Sequence, residues 1–238
     1  MPASTIQITS ADKKQFEAYV ARPSSTPAPA VIVIQEIFGI NPWLRSVADR
    51  LAQEGYLAVA PDLFHRQEPG IQLTDKTQAE WDKAFQLYKG FDENKGVEDL
   101  IATLETVKRL PECSGKVGSL GFCLGGKLAF LMSTRSSSDA NVSFYGVGIE
   151  QNINEPVKHP LLLHIAEADE HVPAAAQKQI HDKLDNNKLV TIYVYPGAGH
   201  AFGREGSKHE DKPAFDLACK RSLEFLKHHL GLAVKSGR

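Results

Sequence analysis

KVGSLGFCLGGKLAFLMS, residues 116–133, holds the transition that organises the chain. KVGSLGF (116–122) reads as a buried strand, and GGKLAFLMS continues as a helix. Between them Cys123 stands with Gly121 and Gly125 two positions away on either side. A strand–turn–helix with glycines at those offsets is the frame of a nucleophile elbow, here with cysteine in the nucleophile position. The glycines answer a steric need, because side chains at those positions would collide across so sharp a turn. Gly126 gives the helix room to cross the strand closely. Amides at the helix start point towards the reacting atom and favour a thiolate or a developing oxyanion. No serine in the chain occupies a GxSxG frame.

Outward from the turn, strands and helices alternate. TIQIT and QFEAYVARP have period two and predict an antiparallel pair. AVIVIQE (30–36) is a continuous apolar run, as expected of a central strand covered on both faces. PWLRSVADRLAQEG (42–55) is helical, with proline at its start and glycine at its end. YLAVAPD (56–62) is a further strand. TDKTQAEWDKAFQLYK and NKGVEDLIATLETVKRL are two helical patterns. VSFYG, HPLLLHIAEAD and LVTIYVYPG are three more strands, AAAQKQIHDKLDNN separates the last two, and PAFDLACKRSLEFLKHHL closes the chain as a helix. This order predicts one α/β domain over 1–238, its mainly parallel sheet covered by helices on both faces.

The bulk composition narrows the partners. The 238 residues are 42% hydrophobic and 24% charged, with a formal charge of −2. That balance supplies no basic stripe for nucleic acid and no polybasic membrane patch. No apolar run reaches bilayer-spanning length, and MPASTIQITSADKK lacks the apolar region of a secretory signal. Cys113, Cys123 and Cys219 have neither metal-ligand nor disulfide spacing, which leads to the expectation of a cytoplasmic protein without metal or cofactor. Cys219, at helical spacing in the last helix, is expected in the core.

A nucleophile on such an elbow needs an acid and a histidine later in the chain, in that order. Asp169 lies in AEADEHVP after one strand, and His200 in PGAGHAFGR after the next. Loops at the carboxyl edge of a parallel sheet are where such groups converge. Imidazole would take the thiol proton while the carboxylate fixes its tautomer. Glu167 and Glu170 are alternatives to Asp169. His164 alternates within a strand and is expected in the core, and His171 is placed to support the site from behind. Glu36 ends its apolar strand beside the elbow, where partial desolvation would raise its pKa towards a useful base.

Together QEIFGINP, GFCLGGKLAF, FYGVGIE and AGHAFGR resemble the dienelactone hydrolase family, a cysteine-dependent branch of the α/β-hydrolases, over nearly the whole chain. The resemblance implies an α/β-hydrolase fold with Cys123, Asp169 and His200 as a triad. It implies an oxyanion hole from the Ile37 and Leu124 amides, and a Glu36 that meets the resting thiol and shifts when substrate binds. A free thiol is only about three per cent ionised at neutral pH, so such activation has a purpose. The family also implies a small-molecule lactone or ester substrate, whose carboxylate is bound by arginines, and a monomer. Arg204 matches one of those arginines. Trp81 stands where the family has the other, and an aromatic face there favours a larger or less charged acyl group, unless Trp81 serves only helix packing. A hydrolase of altered specificity and a thiol-sensing protein without turnover remain the alternative readings.

Overall fold

A computed structural model describes residues 4–232 of the chain. Eight strands form one sheet: β1 (Ser4–Thr9), β2 (Gln15–Ala21), β3 (Ala28–Ile34), β4 (Leu57–Pro61), β5 (Cys113–Phe122), β6 (Ala140–Phe144), β7 (Leu161–Ala166) and β8 (Val190–Tyr195). Their order is β1-β2-β4-β3-β5-β6-β7-β8. The β1–β2 and β2–β4 pairs are antiparallel and the other five are parallel. The antiparallel pair at the N-terminus and the mainly parallel remainder are as the sequence patterns foresee.

The helices are α1 (Pro42–Gln53), α2 (Gln78–Lys89), α3 (Glu93–Lys108), α4 (Leu124–Arg135), α5 (Ala174–Leu184) and α6 (Lys212–Leu230). The alternating side chains of β3 show how they divide. Ile32 and Ile34 enter a core with Leu100 and Leu104 of α3, Leu128 and Leu131 of α4, and Ile180 of α5. Val31 and Val33 face the other way, against Leu44, Val47 and Leu51 of α1 and Leu226 and Leu230 of α6. Both faces of the strand are covered, and every residue of β3 is buried. This is why its sequence is apolar without alternation.

Register places the functional ends together. Ile34 pairs with Gly121, Phe122 with Phe144, Phe144 with His164, and Ala166 with Tyr195. The chain therefore leaves β3, β5, β6, β7 and β8 along one carboxyl edge, at Glu36, Cys123, Tyr145, Asp169 and His200.

Two readings of the sequence differ from the structure. TDKT is not helical: α2 begins at Gln78, capped by Thr77, whose side chain accepts the Glu80 amide. The Glu80 carboxylate in turn takes hydrogen bonds from Thr74 and Thr77, so the polar residues hold a turn in place of a helical one. Cys219 is half-buried, not core. It lines a groove between α1 and α6, and burial pushes its thiol up to about 11.

His164 is core, as its alternation suggests. Ser222 donates to the Ala218 carbonyl at 2.8 Å and so accepts from His164 Nε2, while the Tyr195 hydroxyl donates to Nδ1, also at 2.8 Å. The ring is thus fixed in one neutral tautomer. Burial, with the Arg221 charge acting in the same direction, lowers its pKa to about 3. A folded-state value below the unfolded one of roughly 6.5 stabilises the fold above that pH, and the stability is lost as pH falls from 6.5 towards 3. Urea unfolding of the wild type should lose about 2 kcal/mol between pH 7 and pH 5 from this group. His164→Gln should be less stable at pH 7 and show a flatter slope over that interval; parallel pH profiles would refute the assignment.

Candidate active site

The elbow is built as the glycines require. Cys123 has φ 55° and ψ −113°, a backbone conformation that L residues rarely adopt. A Cβ on Gly121 would run into the Gly125 carbonyl, and one on Gly126 would lie 2.6 Å from the Phe144 carbonyl. The turn is held by the Cys123 amide donating to the Phe144 carbonyl at 3.0 Å. The Cys123 carbonyl accepts from Gly126 and Lys127, the start of α4. Tyr145 and Ala201 also have positive φ, of 40° and 61°. Three strained non-glycine residues therefore border one another's loops, a concentration typical of functional sites.

Asp169 and His200 are brought together. His200 Nδ1 lies 2.9 Å from Asp169 Oδ2 and 3.0 Å from Oδ1. Oδ1 also accepts the amides of His171 and Val172, at 2.8 and 3.2 Å, which fixes the carboxylate. The acid loop and the histidine loop are tied by the Ala168 amide on the Ala198 carbonyl. Gln177, buried on α5, donates to the carbonyls of Ala166 and Val172 at either end of the acid loop. Glu167 and Glu170 point elsewhere: Glu167 accepts the Gly197 amide, and Glu170 pairs with His209. His171 packs edge-to-face on His200, with ring centroids 4.6 Å apart. Burial and then the His200 charge lower the His171 pKa.

Burial works against a charged His200, yet the Cys123 charge and the bond to Asp169 outweigh it and raise the imidazole to about 10. The Leu124 amide begins α4, where amides have no intrahelical acceptor. Neither it nor the Ile37 amide donates within the described turns and loops. The loop carrying Ile37 is held by Asn41, which caps α1 through the Leu44 amide and donates to the Leu73 carbonyl.

Glu36 and Arg204 form a second ionic group. Arg204 Nη1 donates to Glu36 Oε2 at 2.7 Å, and Nη2 donates to Asp75 Oδ2 at 3.0 Å. Arg204, expected to receive a substrate carboxylate, thus faces two carboxylates of its own chain. Glu36, expected at the thiol, is paired with this arginine. Trp81 is half-buried: it meets Phe38 edge-on at 5.0 Å, stacks on Phe85 at 5.5 Å, and donates from Nε1 to the Asp75 carbonyl at 3.0 Å. It is both a packing residue and a support for Asp75.

Asp75 and Tyr145 were not singled out as site residues from sequence. Asp75 falls in the stretch read as helix, and its partner is 129 residues away. Tyr145 falls in VSFYG, read as strand, whereas β6 ends one residue earlier, at Phe144. The Tyr145 ring lies edge-on to His200 at 5.1 Å, and its buried hydroxyl has no hydrogen-bond partner among the described residues. Burial and then the Glu36 charge raise its pKa well above the usual tyrosine value.

Residues 16–230 match the model of the dienelactone hydrolase family. The chain belongs to that family. A relative from Azospirillum brasilense is 47% identical over 230 residues, covering 95% of this chain and 99% of its own. The carboxymethylenebutenolidase of Pseudomonas putida is 40% identical over 223 residues, 93% of this chain and 94% of that one. A crystal structure from Klebsiella pneumoniae superposes with a TM-score of 0.81 at 28% identity, covering 94% and 97% of the two chains. Family membership and the superposition agree with the α/β-hydrolase fold. No described helix is long and apolar enough to cross a membrane.

The raised His200 value is above the unfolded one, so the charged pair stabilises at lower pH and is lost as pH rises through about 10. Histidine NMR should show a protonated His200 ring through pH 9. Asp169→Asn should move that titration down towards neutrality; an unchanged midpoint would mean that the carboxylate does not hold the imidazolium.

Proposed function

We propose that this protein is a cysteine hydrolase that opens enol-lactones or related esters through an acyl-enzyme, with Cys123 as nucleophile, His200 as its base and Asp169 as the orienting acid. The observation that carries the proposal is the buried Asp169–His200 pair together with a cysteine on a strained helix-start turn, near enough for its charge to raise the imidazole pKa. Names of relatives support the substrate class: the Pseudomonas putida protein is a carboxymethylenebutenolidase.

Cys123 gives its thiol proton to His200; the thiolate sulfur then forms a bond to the lactone carbonyl carbon, and the carbonyl oxygen takes the negative charge. Amides of Ile37 and Leu124 receive that oxyanion, a stabilisation that removal of one donor typically reduces by about 100- to 1000-fold in rate. Collapse of the tetrahedral adduct breaks the ring C–O bond, leaving a thioester and an enolate. Water then attacks the thioester, giving its proton to the enolate, and the thiolate leaves and is held again beside the His200 imidazolium. An alkyl ester supplies no enolate, so its deacylation is slower. Glu36 acts on the thiol only once its bond to Arg204 opens. The enzyme works as a single domain in the cytoplasm, as a monomer and without a cofactor.

Cys123→Ala should reduce enol-lactone hydrolysis by at least about 1000-fold while circular dichroism and the unfolding midpoint stay near wild type. Iodoacetamide should abolish wild-type turnover in proportion to Cys123 alkylation, and full activity of the alkylated enzyme would overturn the mechanism. Gly126→Ala should instead lower the melting temperature by several degrees as well as activity, since the added Cβ meets backbone at 2.6 Å.

A further inference from the structure

His171 touches both the acid and the base of the proposed triad, and its role rests on the hydrolase reading above. Its amide donates to Asp169 Oδ1 at 2.8 Å. Its ring packs against the His200 ring, with centroids 4.6 Å apart and planes at 81°. The backbone of one residue thus holds the carboxylate, and its side chain meets the imidazole that this carboxylate orients.

The turn carrying His171 is fixed at both ends. Val172 follows, with its side chain in the core and its amide on the same Oδ1 at 3.2 Å. Gln177 donates to the Val172 carbonyl at 2.8 Å, and Pro173 then precedes α5. On the other side Glu170 pairs with His209 at 3.1 Å. The His209 ring in turn lies against Gly199, where a Cβ would fall 2.7 Å from it, one residue before His200. The His171 ring is therefore presented to His200 from a rigid base.

The bond to Asp169 fixes one edge of the His200 ring but not its plane. Two rings flank that plane, Tyr145 with its centroid at 5.1 Å and His171 at 4.6 Å. Edge-to-face packing of a neutral ring on an imidazolium is attractive, whereas a second cation in that place repels it. The charged or titratable groups facing His171 are Asp169 and Glu170 of its own loop and His200 and His209 of the next. Burial and then the His200 charge lower its pKa, and the two carboxylates do not reverse this. The ring stays neutral to a lower pH than an ordinary histidine. His171 is also exposed, so that a protonated ring can turn into water and away from the imidazolium.

We infer that His171 is a positioning residue whose ring, opposite Tyr145, holds the plane of the His200 imidazole on Asp169 and so orients it as the base for Cys123.

The test uses three variants that all keep the amide on Asp169. At slightly alkaline pH, His171→Ala and His171→Asn should lower kcat/KM for an enol-lactone about three- to ten-fold, the loss expected for one edge-to-face contact. His171→Phe, which keeps a ring that cannot protonate, should restore it. As pH falls below roughly 6.5, the ordinary histidine value, wild type should decline towards His171→Ala while His171→Phe keeps its advantage over both. The downfield Nδ1 proton of His200 gives a readout that needs no turnover. Its NMR signal should broaden through exchange with water in His171→Ala and stay sharp in His171→Phe. A His171→Phe as impaired as His171→Ala, or equal rates in all four proteins at every pH, would overturn the inference. If no lactone or ester is turned over, the hydrolase reading fails, and the proton signal alone decides the role of His171: a signal that is the same in all four proteins rejects it.

Discussion

The positive φ of Cys123 is the constraint on which the other features depend. It lets β5 turn into α4 within one residue, so that the thiol stands at the apex with helix-start amides beside it. Such a backbone is sustained only where the surroundings leave no alternative. Here they are other backbones. Gly121 sits against Gly125, Gly125 against the Ile34 and Gln35 carbonyls, and Gly126 against Phe144 and Gly146. The elbow therefore contacts the ends of β3 and β6 directly, and those strands carry Glu36 and Tyr145. One steric arrangement sets both the cysteine and the positions of its neighbours.

The site then holds two ionic groups with different tasks. Asp169 and His200 form one buried pair, whose carboxylate lies within 3.0 Å of the imidazole through both oxygens. Glu36, Arg204 and Asp75 form a branched set around a single cation. Buried charge is tolerable in both because each is paired and hydrogen-bonded, as buried ions must be. Tyr145 stands between the sets, with its ring on His200 and its hydroxyl under the influence of Glu36. Its aromatic body fills space between charges without adding another.

The strands and helices were legible because burial on both faces leaves an unbroken apolar run in β3, and because proline, glycine and polar caps mark the helix ends. The elbow was legible because its geometry demands glycines at fixed offsets. Asp169 and His200 could be picked out because each lies just past a strand end, in the order that a parallel sheet imposes. The Arg204 network was not legible. Its partners lie 168 and 129 residues from the arginine, and no periodicity links them. Asp75 looked like one more polar residue of an amphipathic helix, because TDKT has the composition of a first turn. The hydroxyls of Thr74 and Thr77 instead bind Glu80, and that local competition sets where the helix begins.

The distance along the chain between Glu36 and Arg204 has a consequence during synthesis on the ribosome. The elbow and its supporting strands emerge well before His200 and Arg204, which come from the last loop ahead of α6. Until that loop docks, the sulfur lacks its imidazole and the acid at the end of β3 lacks its counterion. The half-made polypeptide thus carries Cys123 without the imidazole and the arginine that come to lie near it once the loop ahead of α6 is made.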